Sequence, residues 1–254
     1  MSRLYFLNPI LACSFLLILG CSQPVSNPQN TFSLLPSVAE QYFKGEDSRI
    51  DVNTLKFAYS PTGDALPLLY GMTKQIQRVD QPENAQLEFS IQEDKSQSPE
   101  SYRLEITNEK IIIQAQSQAG LFYGFITLNQ LIEDAIAQDT PLPLLEINDA
   151  PKIAFRPIQI DVKHHLEKKS YYYDLLDELA QLKINGIILE IEDKLQYKRR
   201  PEVGSADALS IDEWRAISDY AIARNIKISP LVQGLGHASF VLKHEKNKHL
   251  RDDP

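Results

Sequence analysis

Between Ala150 and Asp193 the chain reads strand, helix, strand, and this stretch limits the fold more than any other. Ile158, Ile160 and Val162 sit in a short apolar run, Tyr172, Leu175, Leu176, Leu179 and Leu182 recur at helical spacing, and Gly186 to Glu192 closes the unit. A strand covered on both faces reads as a near-continuous apolar run, and a crossover helix is the usual way back to a parallel neighbour. The pattern therefore predicts a βαβ unit whose second strand ends in Glu190, Glu192 and Asp193. Parallel α/β folds hold their sites at the carboxyl ends of strands, so chemistry is to be sought in that carboxylate cluster.

The same rhythm continues. Ser210-Ile211-Asp212-Glu213 matches a capping box opening a helix with Trp214, Ile217 and Ala221. Residues 226–232 form a third buried strand, Gln233 to His237 a loop, and 238–243 a short helix. A βαβαβα order begins either a barrel or a doubly wound sheet. On the scale of about 250 residues for eight units, residues 150–254 provide about three. Residues 34–147 read differently. Leu55 to Tyr59 and Leu87 to Ile91 pattern as strands, 65–76 as a helix, and Tyr102-Leu104-Ile106 and Ile111-Ile113-Ala115 alternate around Asn108-Glu109-Lys110 as a hairpin. Gly120 to Asp134 is an amphipathic helix. The expected fold class is thus an α+β domain with an antiparallel sheet, without catalytic motifs, followed by α/β: an incomplete (β/α)8 barrel.

The first residues carry an address. Arg3 supplies a positive start, 10–19 an apolar run, and Ile18-Leu19-Gly20-Cys21 a small-residue cleavage site. This resembles the lipobox of bacterial lipoproteins, which implies a signal peptide over 1–21, lipidation at Cys21, a polar tether over 22–33 and an exported protein anchored to a membrane. An ordinary signal peptide with an incidental Cys21 is the competing reading. Both cysteines, Cys13 and Cys21, lie in this segment, so no internal disulfide is expected in the mature chain. A formal net charge of −8 argues against nucleic acid as a partner, because phosphate contacts need clustered Lys and Arg. The short cluster Lys198-Arg199-Arg200 reads as a solvated loop.

Several segments then carry a resemblance in the right order: AGLFYGFITLNQLIED, NDAPKIAFRPIQIDVKHHL, KINGIILEIED and SPLVQGLGHASFVLKHEKNKHLRDDP. Together they resemble glycoside hydrolase family 20, the β-N-acetylhexosaminidases, the last two segments most like the hexosaminidase D-type branch. The resemblance implies removal of terminal N-acetylhexosamine from oligosaccharides or glycoconjugates, with the sugar's own acetamido oxygen attacking the anomeric carbon. It implies no cofactor and no metal. By the same resemblance Arg156 matches an arginine that grips sugar hydroxyls, a role suited to a guanidinium fork. A structural ion pair with Asp161 or a neighbour is the alternative. Asp193, with Glu192 as competitor for the same register, matches an acidic residue after the second strand that binds sugar or orients the arginine. Glu190 stands where many members have His, on the same strand face as Glu192. His237 matches a histidine near the acid, and His164 and His165 partly replace an Arg-His pair.

No catalytic residue is expected within these 254 residues. The resemblance places the catalytic Asp and Glu side by side at the end of a fourth strand, whereas Asp177-Glu178 and Asp212-Glu213 fall in expected helices. The expected function is therefore the N-terminal part of a hexosaminidase-like glycosidase, inactive alone. A non-catalytic carbohydrate-binding lipoprotein is one alternative. Another is one half of a split enzyme, completed by a partner chain that supplies the remaining strands.

Overall fold

The computed structural model describes residues 32–59, 77–92, 94, 96–234 and 236–252. The lipobox, most of the tether and the expected helix over 65–76 lie outside the described residues. Two sheets organise the rest. The first has seven strands, β1 (Glu40–Asp47), β2 (Lys56–Tyr59), β3 (Gln77–Arg78), β4 (Leu87–Ile91), β5 (Tyr102–Ile106), β6 (Ile111–Ala115) and β7 (Pro143–Asp149), in the order β1-β7-β5-β6-β4-β2-β3. The hairpin falls on the expected residues, Ile106 opposite Ile111 and Tyr102 opposite Ala115, closed by Thr107 N–H donating to Lys110 O at 2.8 Å.

The sheet is mixed rather than antiparallel. β4 leads past the place of its future neighbour to β5, and the hairpin then returns β6 beside β4 in the same direction, so β6, β4, β2 and β3 run parallel. One face alternates inward, with Leu87, Phe89, Leu104, Ile106, Ile111 and Ile113 at most 1% exposed. Against it lies α1 (Gln118–Gln138), longer than expected at both ends. Its amino end is fixed by the Ser117 side chain, which accepts from Ala119 N–H, and its carboxyl end by Asp139 in the left-handed conformation. Leu121, Phe125, Leu128 and Ile132 are 0–1% exposed and complete this core.

The second sheet has three parallel strands, β8 (Pro157–Asp161), β9 (Gly186–Glu190) and β10 (Lys227–Leu231), in the order β10-β9-β8. Helices α2 (Lys169–Gln181) and α3 (Ile211–Ile222) provide the crossovers, so the strand-helix-strand reading holds, with a second unit behind it. The capping box over Ser210 and Glu213 is present in both directions. Tyr172, Leu176, Trp214 and Ile217 pack under Ile160, Ile187, Leu189 and Ile228. Trp214 fixes its edge by donating from Nε1 to Lys194 O at 2.9 Å.

The other face of this sheet departs from expectation. Gln159, Asp161 and Ser229 are exposed there, and Val232 just beyond β10 is 80% exposed. The apolar run Ile158-Ile160-Val162 is helix-facing alternation, not a strand covered on both sides, because among the described residues no element packs on the polar face.

Candidate functional site

β8 and β9 are in register, Asp161 beside Glu190, and β10 places Leu231 beside Glu190 from the other side. Their carboxyl ends therefore open onto one rim. Successive residues on a strand point to opposite faces, so Gln159, Asp161 and Lys163 share the polar face with Glu190. Glu190, only 5% exposed, is the hub. It accepts from Lys163 Nζ at 3.0 Å, Gln159 Nε2 at 3.3 Å and Gln233 Nε2 at 2.6 Å, which ties all three strands together at one carboxylate. Lys163 also reaches Asp161 at 3.0 Å.

The hydrogen bond from Lys163, and then that from Gln233, hold the Glu190 carboxyl below its usual range. Burial raises the Asp161 carboxyl, and the backbone and side-chain bonds from Lys163 outweigh it, so it too titrates low. Both carboxylates in turn raise Lys163. A general acid at neutral pH needs a raised pKa. The rim is the reverse, an anionic and cationic array suited to gripping hydroxyls.

β9 ends at Glu190, and Glu192 sits in a turn with φ +40°, so the two do not share a strand face as the sequence suggested. Glu192 is half-buried, and its carbonyl accepts the Tyr197 hydroxyl at 2.7 Å. Asp193 is 9% exposed. Its Oδ2 accepts from Lys243 Nζ at 2.9 Å, its carbonyl takes the Ser205 N–H at 2.8 Å, and its Oδ1 is buried without a hydrogen-bond partner among the described residues. His237, at φ +55°, is exposed on the loop beyond β10, and His164 and His165 are exposed beyond β8, with His165 Nε2 2.8 Å from Glu167.

Arg156 is not on this rim. It precedes β8, at the opposite, amino end of the sheet, where every guanidinium nitrogen is engaged. Nε donates to Lys183 O at 2.9 Å, Nη1 to Ile153 O at 2.8 Å, and Nη2 to Glu100 at 2.6 Å. The sugar-gripping assignment is therefore corrected: Arg156 is tied in a structural ion pair, its partner being Glu100 in the turn before β5 and not Asp161. Of the missed rim residues Gln159, Lys163 and Gln233, alternation along β8 could have put the first two on one face with Asp161, but nothing local points from any of them to Glu190. Asp177-Glu178 and Asp212-Glu213 lie in α2 and α3, Asp177 accepting the Tyr220 hydroxyl and Glu213 closing the cap. Among the described residues no three His, Cys, Asp or Glu side chains gather as a metal-ligand set.

Comparison with known proteins points one way. Residues 33–150 match the model for glycosyl hydrolase family 20, domain 2. A beta-hexosaminidase of Vibrio vulnificus is 25% identical over 195 residues, 64% of this chain and 23% of that protein. Hexosaminidase D of Bos taurus is 35% identical over 98 residues, 38% of this chain and 28% of that one. The crystal structure of a β-N-acetylhexosaminidase from Bacteroides fragilis superposes with a TM-score of 0.71 at 22% identity, covering 83% of this chain and 46% of that one. The chain thus spans less than a third of either of these curated relatives. Residues 33–150 thus match domain 2 of glycosyl hydrolase family 20, and the relatives found along the chain are hexosaminidases.

Proposed function

We propose that this chain forms the opening part of a β-N-acetylhexosaminidase-type glycosidase, its three βα units being the first of a (β/α)8 barrel whose rim receives a terminal N-acetylhexosamine. The carrying observation is where the polar residues collect: Asp161, Lys163, Glu190 and Asp193 all lie at or just beyond the carboxyl ends of parallel strands, in a chain whose relatives are hexosaminidases. Carboxylates and an ammonium there accept and donate to ring hydroxyls. Asp193, mostly covered and held by Lys243, is better suited to orienting a neighbour than to touching sugar. Exposed His164 and His237 stand where an incoming ring would reach them.

In the reaction, the substrate's acetamido oxygen would attack the anomeric carbon while an acid protonates the leaving oxygen. Asp161 and Glu190, whose carboxyls titrate low, do not suit that proton donation. We propose that the donor lies outside these 254 residues, and that this polypeptide by itself would not turn over. Titration with millimolar N-acetylglucosamine, followed by amide NMR, should move resonances of Lys163, His164, Glu190 and His237 and leave those of Arg156 unchanged. Shifts confined to the Arg156 end, or none at all, would contradict the reading. We propose also that Cys21 carries a lipid that anchors the protein to a bacterial membrane. Labelling with a radioactive fatty acid should be lost in Cys21→Ala, and persistence of the label would refute it.

A further inference from the structure

The rim has a second, strongly charged part. Residues 198–203 and 243–252 contain seven Lys or Arg against three Asp or Glu, in a chain of formal net charge −8. Thirty-nine residues separate the two segments in sequence, but the fold joins them: Arg200 Nη2 donates to Asn247 Oδ1 at 2.6 Å, and Asn247, fully buried, donates from Nδ2 to Val241 O at 2.9 Å. Arg251 locks the second segment from its other end through Nε to Leu242 O at 2.7 Å. Lys198, Arg199 and Lys246 are exposed and have no ion-pair partner among the described residues. The patch borders the rim directly, since Lys243 within it holds Asp193. Arg200, Lys243 and Lys248 have carboxylate partners, so Lys198, Arg199 and Lys246 are the charges left to favour a multivalent anion.

We infer that this basic surface binds an acidic glycan chain, one carrying repeated carboxylate or sulfate groups, and so extends the sugar rim into a site for anionic polysaccharide. Its place beside the rim favours a glycan over a phospholipid surface, because a chain lying on Lys198, Arg199 and Lys246 can lead its terminal sugar to Glu190 and His237. That continuity rests on the hexosamine reading above. The charge complementarity does not.

The test separates the two. Binding of the intact chain is measured by calorimetry to an oligogalacturonate octamer (acidic, without N-acetyl groups), to a neutral chito-oligosaccharide, to a hyaluronan octamer carrying both features, and to phosphatidylglycerol vesicles. The oligogalacturonate and hyaluronan octamers should bind, more weakly as salt rises past about 0.15 M. The triple variant Lys198→Glu, Arg199→Glu, Lys246→Glu should weaken both by about tenfold or more, and all three positions are exposed, so the fold should be kept. Failure of the neutral sugar alone would count against the hexosamine reading and leave this site standing. Equal affinity of the triple variant for oligogalacturonate, or binding to vesicles but to neither acidic glycan, would overturn it.

Discussion

At the residue scale the rim depends on Glu190. Three side chains, one from β8 and two from the loops that follow β8 and β10, converge on its buried carboxylate, and those bonds are stronger to the anion than to the acid. Its folded pKa lies below the ordinary 4.5, so the unfolded chain binds more protons in that range. The stability it contributes is present in full above the ordinary value and is lost as pH falls through the depressed folded one. Glu190→Gln, which keeps the shape and loses the charge, should flatten melting temperature against pH between about 3 and 5 relative to the parent chain. Identical slopes would show that Glu190 is not the anchor described.

Residues also mark the limits of sequence reading. Glu190 was legible as part of a carboxylate cluster, and its strand as buried. Its partners were not, because Lys163 and Gln233 reach it only once three strands lie in register. Arg156 was misplaced for a related reason. A motif match fixes a residue's position in the chain, whereas its function depends on which end of the strand it occupies, and Arg156 precedes β8. Its true partner Glu100 is 56 residues away, in the turn that leads into β5, beyond the reach of any local pattern.

At the scale of elements, α1 lies so close to the first sheet that only glycine fits at one point. A Cβ at Gly120 would stand 2.4 Å from Ser101 O and 2.9 Å from the Ala115 Cβ. A main-chain carbonyl cannot swing aside as a side chain can, so Gly120→Ala should destabilise by about 1–3 kcal/mol through forced overpacking, measured by urea unfolding. A change below about 0.5 kcal/mol, the usual size at unconstrained surface sites, would mean that the helix rides higher than described. The helix itself was readable from its spacing, though not its Ser117 cap, and so were the hairpin, the βαβ unit and the capping box of α3, since each is set by neighbours in sequence. The parallel half of the first sheet was not readable. Its strands alternate as antiparallel ones do, and their direction follows from the order in which distant segments pair.

At the scale of the whole molecule, the two sheets are joined by a buried polar seam. Lys183 Nζ, between α2 and β9, donates to Asp149 Oδ2 and to the Tyr102 hydroxyl, each at 2.9 Å, and Asn185 Nδ2 donates to Glu100 at 2.9 Å. Burial pushes the Asp149 carboxyl up, but the Lys183 charge and the hydrogen bonds around it prevail and hold it low. Removing one member of a buried pair strands the other, at a cost of about 3–5 kcal/mol. Lys183→Met should therefore lower the unfolding free energy by about that much, while Lys183→Met with Asp149→Leu should recover part of it. A single variant as stable as the parent would mean that the seam does not couple the sheets.

The central functional claim is that these residues supply a sugar-binding rim without the proton donor. A positioned general acid accelerates a reaction by about a hundred- to ten-thousandfold, so its absence is easily seen. The direct measurement is the release of nitrophenol from 4-nitrophenyl N-acetyl-β-D-glucosaminide by the purified 254-residue chain at neutral pH. A rate no greater than that of buffer with an equal mass of albumin is expected. Sustained turnover well above that blank, abolished by Glu190→Gln, would place the acid on this rim and contradict the claim.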